Sequence, residues 1–200
     1  MKTLTGLFDN YDDASDAVSE LEAIGIPSAD ISLVANNATD WYEEEPSEVA
    51  DDAAGGAGLG AAIGGAGGLL TGLGIMAIPG VGPVVAAGWL AATAAGAAAG
   101  ALVGGAAGGI IGALTESGVP ERDAHVYAES VRRGGTLVTA KVPDELVPEA
   151  EPILGTERSV DIVERRRDYE AGGWSEFDPD APAYSPDDIE RDRARYVGRP

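Results

Sequence analysis

Residues 53–115 read AAGGAGLGAAIGGAGGLLTGLGIMAIPGVGPVVAAGWLAATAAGAAAGALVGGAAGGIIGALT, a run without one charged side chain. Glycine recurs in it at every fourth position, at Gly56, Gly60, Gly64, Gly68 and Gly72, then at Gly96, Gly100, Gly104, Gly108 and Gly112, with Gly88 in register between the series. Residues four apart share one helix face, and a face of glycines lets a second backbone approach closely, as in the small-xxx-small packing of helices in lipid. These glycines are therefore the candidate helix-packing positions.

The run divides at Ile78-Pro79-Gly80-Val81-Gly82-Pro83, which favours neither helix. Two arms are expected. The first, Ala53 to Ala77, would be roughly 37 Å long as a helix and the second, Val84 to Leu114, somewhat longer, against a hydrocarbon thickness of about 30 Å. In water an interior glycine costs about 1 kcal/mol relative to alanine, so the first arm would lose on the order of 10 kcal/mol unless lipid or a close partner holds the backbone. The expectation is a glycine-zipper helical hairpin over 53–115 that enters a membrane and self-associates. A flexible linker and a hairpin buried in a soluble oligomer are the alternatives. If the hairpin spans, both flanks lie on one side, and Arg122, Arg132 and Arg133 beyond the second arm place that side in the cytoplasm.

The flanks read as a small α/β domain. Residues 3–8 alternate as a strand, Asn10, Asp12 and Asp13 offer helix caps, and Ala14, Ala17, Val18 and Leu21 form a helical stripe. Gly25 and Pro27 stop that helix before a strand at Ile31 to Val34, closing a first half over 1–35. Residues 36–52 read as an acidic linker containing Trp41 and Tyr42, either a membrane-interface anchor or a packed or surface aromatic pair. A second half over 116–168 repeats the pattern with Ala124, Tyr127, Ala128 and Val131, a strand at Thr136 to Val142, a proline-interrupted helical stretch near Glu145 to Leu154, and a last strand at Val160 to Val163. Residues 169–200 form an acidic, aromatic-containing tail, docked or free, in which Ser185-Pro186-Asp187-Asp188 caps a short charged helix.

Little here suggests catalysis. The net charge of −21 over 200 residues disfavours nucleic acid and suits a salt-tolerant acidic surface. With no cysteine there is neither a disulfide framework nor a thiolate nucleophile. The lone histidine, His125, lacks an evident second catalytic group, so a structural role is expected. Glu43, Glu44, Glu45, Asp51 and Asp52 lack calcium-loop spacing, and Gly55-Gly56-Ala57-Gly58 is followed by no phosphate-loop lysine. Arg165, Arg166 and Arg167 read as a solvated strand end or a contact for anionic lipid. No cofactor, metal or catalytic residue is expected. Met1 to Phe8 lacks the apolar core of a signal peptide, so secretion by the ordinary route is not expected either.

Leu4-Thr5-Gly6-Leu7-Phe8-Asp9, Ala14, Ala17-Val18, Leu21, Gly25-Ile26 and Asp30-Ile31-Ser32-Leu33-Val34 resemble the opening of the bacterial general stress protein 17M-like (heat-induced stress protein) domain. Gly118-Val119-Pro120, Ala124, Tyr127 and Gly134-Gly135-Thr136-Leu137-Val138 resemble the second half of related low-temperature-induced or general stress proteins, in which a glycine-zipper segment interrupts the domain. The resemblance implies a stress-associated role, no established enzyme activity and an α+β, ferredoxin-like βαβ/βαβ sandwich; with the zipper hairpin read above, the expectation is a non-enzymatic protein anchored in the inner membrane with its soluble part in the cytoplasm. The elements counted allow a four-stranded sheet with helices on one face. The alternative is a soluble ligand-binding or regulatory module whose hairpin mediates homo-oligomerisation.

Overall fold

The computed structural model describes residues 1–42, 73–93, 109–156 and 158–195. The first half follows its sequence signals. Strand β1 (Lys2–Phe8) leads into helix α1 (Tyr11–Ala23), whose N-cap Asn10 accepts a hydrogen bond from the Asp13 amide at 2.8 Å. The predicted stripe of Ala14, Ala17, Val18 and Leu21 is buried, and Gly25, at φ +96°, turns the chain toward β2 (Ile31–Asn36).

The centre of the molecule departs from expectation. Residues 74–88 are not helical: β3 (Gly74–Ile78) and β4 (Gly82–Gly88) form an antiparallel hairpin, with Ile78 opposite Gly82. Pro79 and Gly80 are the two central residues of its turn. The Val81 amide donates to the Ile78 carbonyl at 3.0 Å, and Gly80 supplies the φ of +73° that a type II turn requires at its third position. The sequence that reads as a break between two helices is therefore the corner of a sheet. Chain direction reverses there because proline fixes the first central φ and glycine tolerates the second.

Beyond β4, residues 89–93 are helical, and the second half then runs through α2 (Gly109–Glu116), α3 (Glu121–Arg132) and β5 (Thr136–Val142). Helix α4 (Val147–Leu154) follows. The expected strand at Val160 to Val163 is instead the start of α5 (Ile162–Ala171), because the Asp161 carboxylate accepts from the amides of Val163 and Glu164 at 2.8 and 3.0 Å. Strand character here is limited to one bridge between Phe8 and Ser159. Helix α6 (Pro186–Arg193) closes the described chain under a capping box made by Ser185 and Asp188.

The strands form one antiparallel sheet in the order β1-β5-β2-β4-β3. The mixed α+β class holds, but the sheet has five strands where four were expected, and helices cover both faces. On one face Phe8, Leu33, Val85 and Val138 pack against α1 and α4; on the other Leu7, Val34, Val84 and Leu137 pack against α2, α3 and Phe177 of the tail. Strands β1 and β2 are parallel with β5 between them, and β4 and β5 are parallel with β2 between them. The two crossovers run in opposite senses along the sheet and along the strands, so a common hand would put both on one face. Their described helices lie on opposite faces, so the crossovers have opposite hands, a departure from the usual right-handed rule.

Candidate functional site

The glycines singled out in the sequence divide sharply. Gly112 lies half-buried in α2. Gly88 lies in no helix: it ends β4 opposite Ser32 with φ +87°, a strand terminus where the chain turns, so its place in the four-residue register carries no helical meaning. Gly56, Gly60, Gly64, Gly68, Gly72, Gly96, Gly100, Gly104 and Gly108 lie outside the described residues, as do Glu43 to Glu45, Asp51 and Asp52.

The roots of both glycine-rich segments are described, and they define the geometry available to them. At the first root Trp41 stacks on Tyr11 with ring centroids 4.6 Å apart, and its indole nitrogen donates to the Asn36 carbonyl at 2.8 Å. Asn37 brackets Tyr42 through both of its side-chain polar atoms, and the Tyr42 hydroxyl donates to the Leu73 carbonyl at 3.2 Å. Trp41 and Tyr42 thus pack against the domain, with Trp41 still 42 % exposed. The two described ends that flank residues 43–72 therefore meet at one point, Tyr42 on Leu73. Residues 94–108 are flanked by a helical turn at Trp89 to Thr93 and by α2; Thr93 and Ala113 line one cleft.

The opposite end of the α2–α3 layer is held by arginines and aromatics. Glu129 is 1 % exposed and its Oε1 accepts from Arg133 Nε at 2.6 Å, while Arg132 lies 3.5 Å from Oε2. Arg133 also reaches Asp192 of α6 at 3.2 Å and lies 4.3 Å from the Tyr169 ring centroid. Burial alone would lower the basicity of Arg133, but the charge and hydrogen bond of Glu129, with Tyr184 and Asp192, together turn the net direction upward. The tail is thus docked. Phe177 is buried and its amide donates to His125 Nδ1 at 3.2 Å, Trp174 packs edge-on against Tyr169, and Arg193 donates to the Gly134 carbonyl at 2.6 Å. His125 is accordingly an anchor for the tail.

Arg165 and Arg166 are not a solvated strand end. Both are buried in α5, where Arg165 pairs with Asp9 at 2.8 Å and Arg166 pairs with Asp123. Beside that second pair Tyr127 is 8 % exposed, and its phenol is pushed up to about 12 by burial first and by the Asp123 carboxylate next, with Arg166 pulling the other way. A folded pKa above the unfolded value means the native state keeps a proton that the unfolded chain has lost. The stabilisation is complete below pH ~10 and is lost as pH rises toward 12, about 3 kcal/mol for two units. Burial raises the Tyr11 phenol as well, so urea unfolding from pH 9 to 12 should show a steeper fall in the native chain than in Tyr127→Phe; parallel slopes would assign the titration elsewhere.

Among the described residues no His, Cys, Asp and Glu side chains gather as a metal site, and no helix is long and apolar enough to cross a membrane. The described residues form a mixed α+β domain with helices on both faces of an antiparallel sheet. No family model, curated protein or solved structure matches it.

Proposed function

We propose that this chain is a non-enzymatic assembly module, a salt-tolerant α+β domain whose two glycine-rich segments pack against those of other copies. The stress association rests on the resemblance of the two flanking halves alone, and the two split βαβ crossovers support no more than a distant ferredoxin-like layout. The observation that carries the assembly reading is the closed root at Tyr42 and Leu73. Thirty residues, 43–72, separate these two positions, which leaves about fifteen for each leg of an excursion, or roughly 22 Å per leg as helix. Two crossings of a ~30 Å hydrocarbon layer need more. The second segment, 94–108, is shorter still. Residues 79–83, which a single membrane hairpin would carry to the far side, sit in the sheet corner, where a Cβ on Gly80 would come within 2.7 Å of Pro179.

Self-association through glycine faces also answers the cost of glycine in water, since close backbone packing replaces solvent around those amides. Repulsion between copies carrying −21 each opposes it, so association should strengthen as salt shortens the Debye length. Sedimentation velocity at 0.1 M and 1 M salt tests this. The native chain is expected to sediment above monomer mass, more so at high salt, and Gly64→Leu with Gly104→Leu to weaken the oligomer at least tenfold while leaving the circular dichroism of the domain unchanged. A native monomer at every concentration, or an unchanged oligomer in the double variant, would refute the assembly role. Retention in carbonate-washed membranes would instead restore membrane insertion.

A further inference from the structure

A cleft of about 300 Å³ opens at the β1–β5 end of the sheet, between the helical turn at Trp89 and the C-terminal end of α2. The only lysines of the chain, Lys2 and Lys141, both line it. They are not equivalent. Lys2 is engaged with Glu151 at 2.7 Å, whereas Lys141 pairs with no carboxylate among the described residues, in a chain holding 34 acidic side chains against 13 basic ones. Its ammonium lies instead 4.1 Å from the centroid of the Trp89 ring, a contact that leaves its N–H donors open.

Behind the cleft the same sheet face continues inward. Thr3 pairs with Lys141 across β1 and β5, and the next pair on that face is Thr5 with Thr139. The hydroxyls of Thr5 and Thr139 and the indole nitrogen of Trp89 are buried and have no hydrogen-bond partner among the described residues. Buried polar groups are ordinarily paired, so three orphans beside one unpaired cation need an explanation. By contrast, the hydroxyls of Thr93 and Ser117 on the cleft wall already donate to carbonyls of their own helices.

The orphan groups and the cation share one property: each donates a hydrogen bond, and Trp89 and Lys141 can only donate. A complementary ligand is rich in acceptors and carries negative charge. One unpaired ammonium, with Glu116 also on the lining, suits a single negative charge better than a phosphate dianion, and the Trp89 and Ala113 walls suit a short carbon body. We propose that this cleft binds a small monocarboxylate bearing a second oxygen acceptor, with its carboxylate on Lys141 and its other oxygen directed toward the buried donors of Trp89 and Thr139.

Lactate is the probe, titrated into the full chain at constant ionic strength, with inorganic phosphate run in parallel and tryptophan emission and calorimetry as readouts. Saturable lactate binding is expected, with an emission change that Trp89→Phe abolishes although Trp41 and Trp174 remain. Lys141→Met should weaken binding at least tenfold and Thr139→Val at least threefold, while Lys141→Arg, which keeps the charge, stays within a few-fold of native. Should Lys141→Met fail to fold, Thr139→Val and Trp89→Phe carry the test. The assignment is overturned by no saturable change, by native-like binding in both Lys141→Met and Thr139→Val, or by phosphate binding more tightly than lactate.

Discussion

Arg133→Met should lower the unfolding free energy by about 3–5 kcal/mol, the usual result of breaking a buried ion pair by removing one partner. Methionine keeps much of the aliphatic stem, so the loss reports the charge. Glu129, at 1 % exposure, would keep only Arg132, which stands 3.5 Å from its second oxygen. Asp192, at 6 %, would fall back on the largely exposed Arg195, and the rings of Tyr169 and Tyr184 would lose a cation at 4.3 and 5.3 Å. The penalty is mainly an uncompensated buried carboxylate, so it should shrink when that carboxylate is removed as well. The double variant Glu129→Leu, Arg133→Met is therefore expected to recover a large part of it, and a urea-unfolding cycle measures the coupling. The same substitution should loosen the tail: trypsin should cut at Arg191 to Arg195 faster than in the native chain. A loss below 1 kcal/mol with unchanged digestion would mean that the arginine–aromatic cluster does not hold the tail.

The parts of this fold legible in the sequence are those whose causes are local. Asn10, Asp161 and Ser185 each act as a cap within three residues of the amides they serve, and the Ala14-Ala17-Val18-Leu21 stripe reports its own buried face. Asp161 is the ambiguous one of the three, because Val160 to Val163 also has the β-branched composition of a strand and only the amide-facing carboxylate decides between them. The hairpin of β3 and β4 was hidden for a different reason. β4 is covered on both faces, so it shows no polar alternation, and a continuous apolar run cannot be told from a buried helix by period. A usable signal was present: Pro79-Gly80 between Ile75, Ile78, Val81, Val84 and Val85 is a type II turn flanked by β-branched residues. For Arg165 and Arg166 no local signal exists, since their partners lie 156 and 43 residues away. The same holds for the cleft beside Lys141. It is assembled from β1, β5, α2 and the turn at Trp89, and its distinguishing property, a cation without a carboxylate among the described residues, is a matter of tertiary placement that no local pattern carries.

Gly88 gives the sharpest contrast between the sequence pattern and the structure, because the two demand opposite signs. In an exposed helix interior, replacing glycine by alanine stabilises by about 1 kcal/mol. At the end of β4 the same change should destabilise by roughly 2–5 kcal/mol, from two sources. Alanine disfavours the φ of +87°, and its Cβ would stand 2.2 Å from the Ile31 carbonyl oxygen and 2.8 Å from Ser32 Cα. Both obstacles are backbone, so relief requires β2 and β4 to separate where Gly88 pairs with Ser32. That separation would also pull at the buried Ser32 hydroxyl, which donates to the Ala87 carbonyl at 2.7 Å. Gly25 isolates the first source: its φ is +96°, but a Cβ there meets nothing within 4 Å. Gly25→Ala should therefore cost only about 1–2 kcal/mol. Urea midpoints for the two variants decide the matter. A Gly88→Ala chain as stable as native or more so would return residues 84–88 to a helix; a loss equal to that of Gly25→Ala would leave the backbone angle as its whole cause; a larger loss places Gly88 in the sheet, where close approach to β2 and not a helical zipper requires glycine.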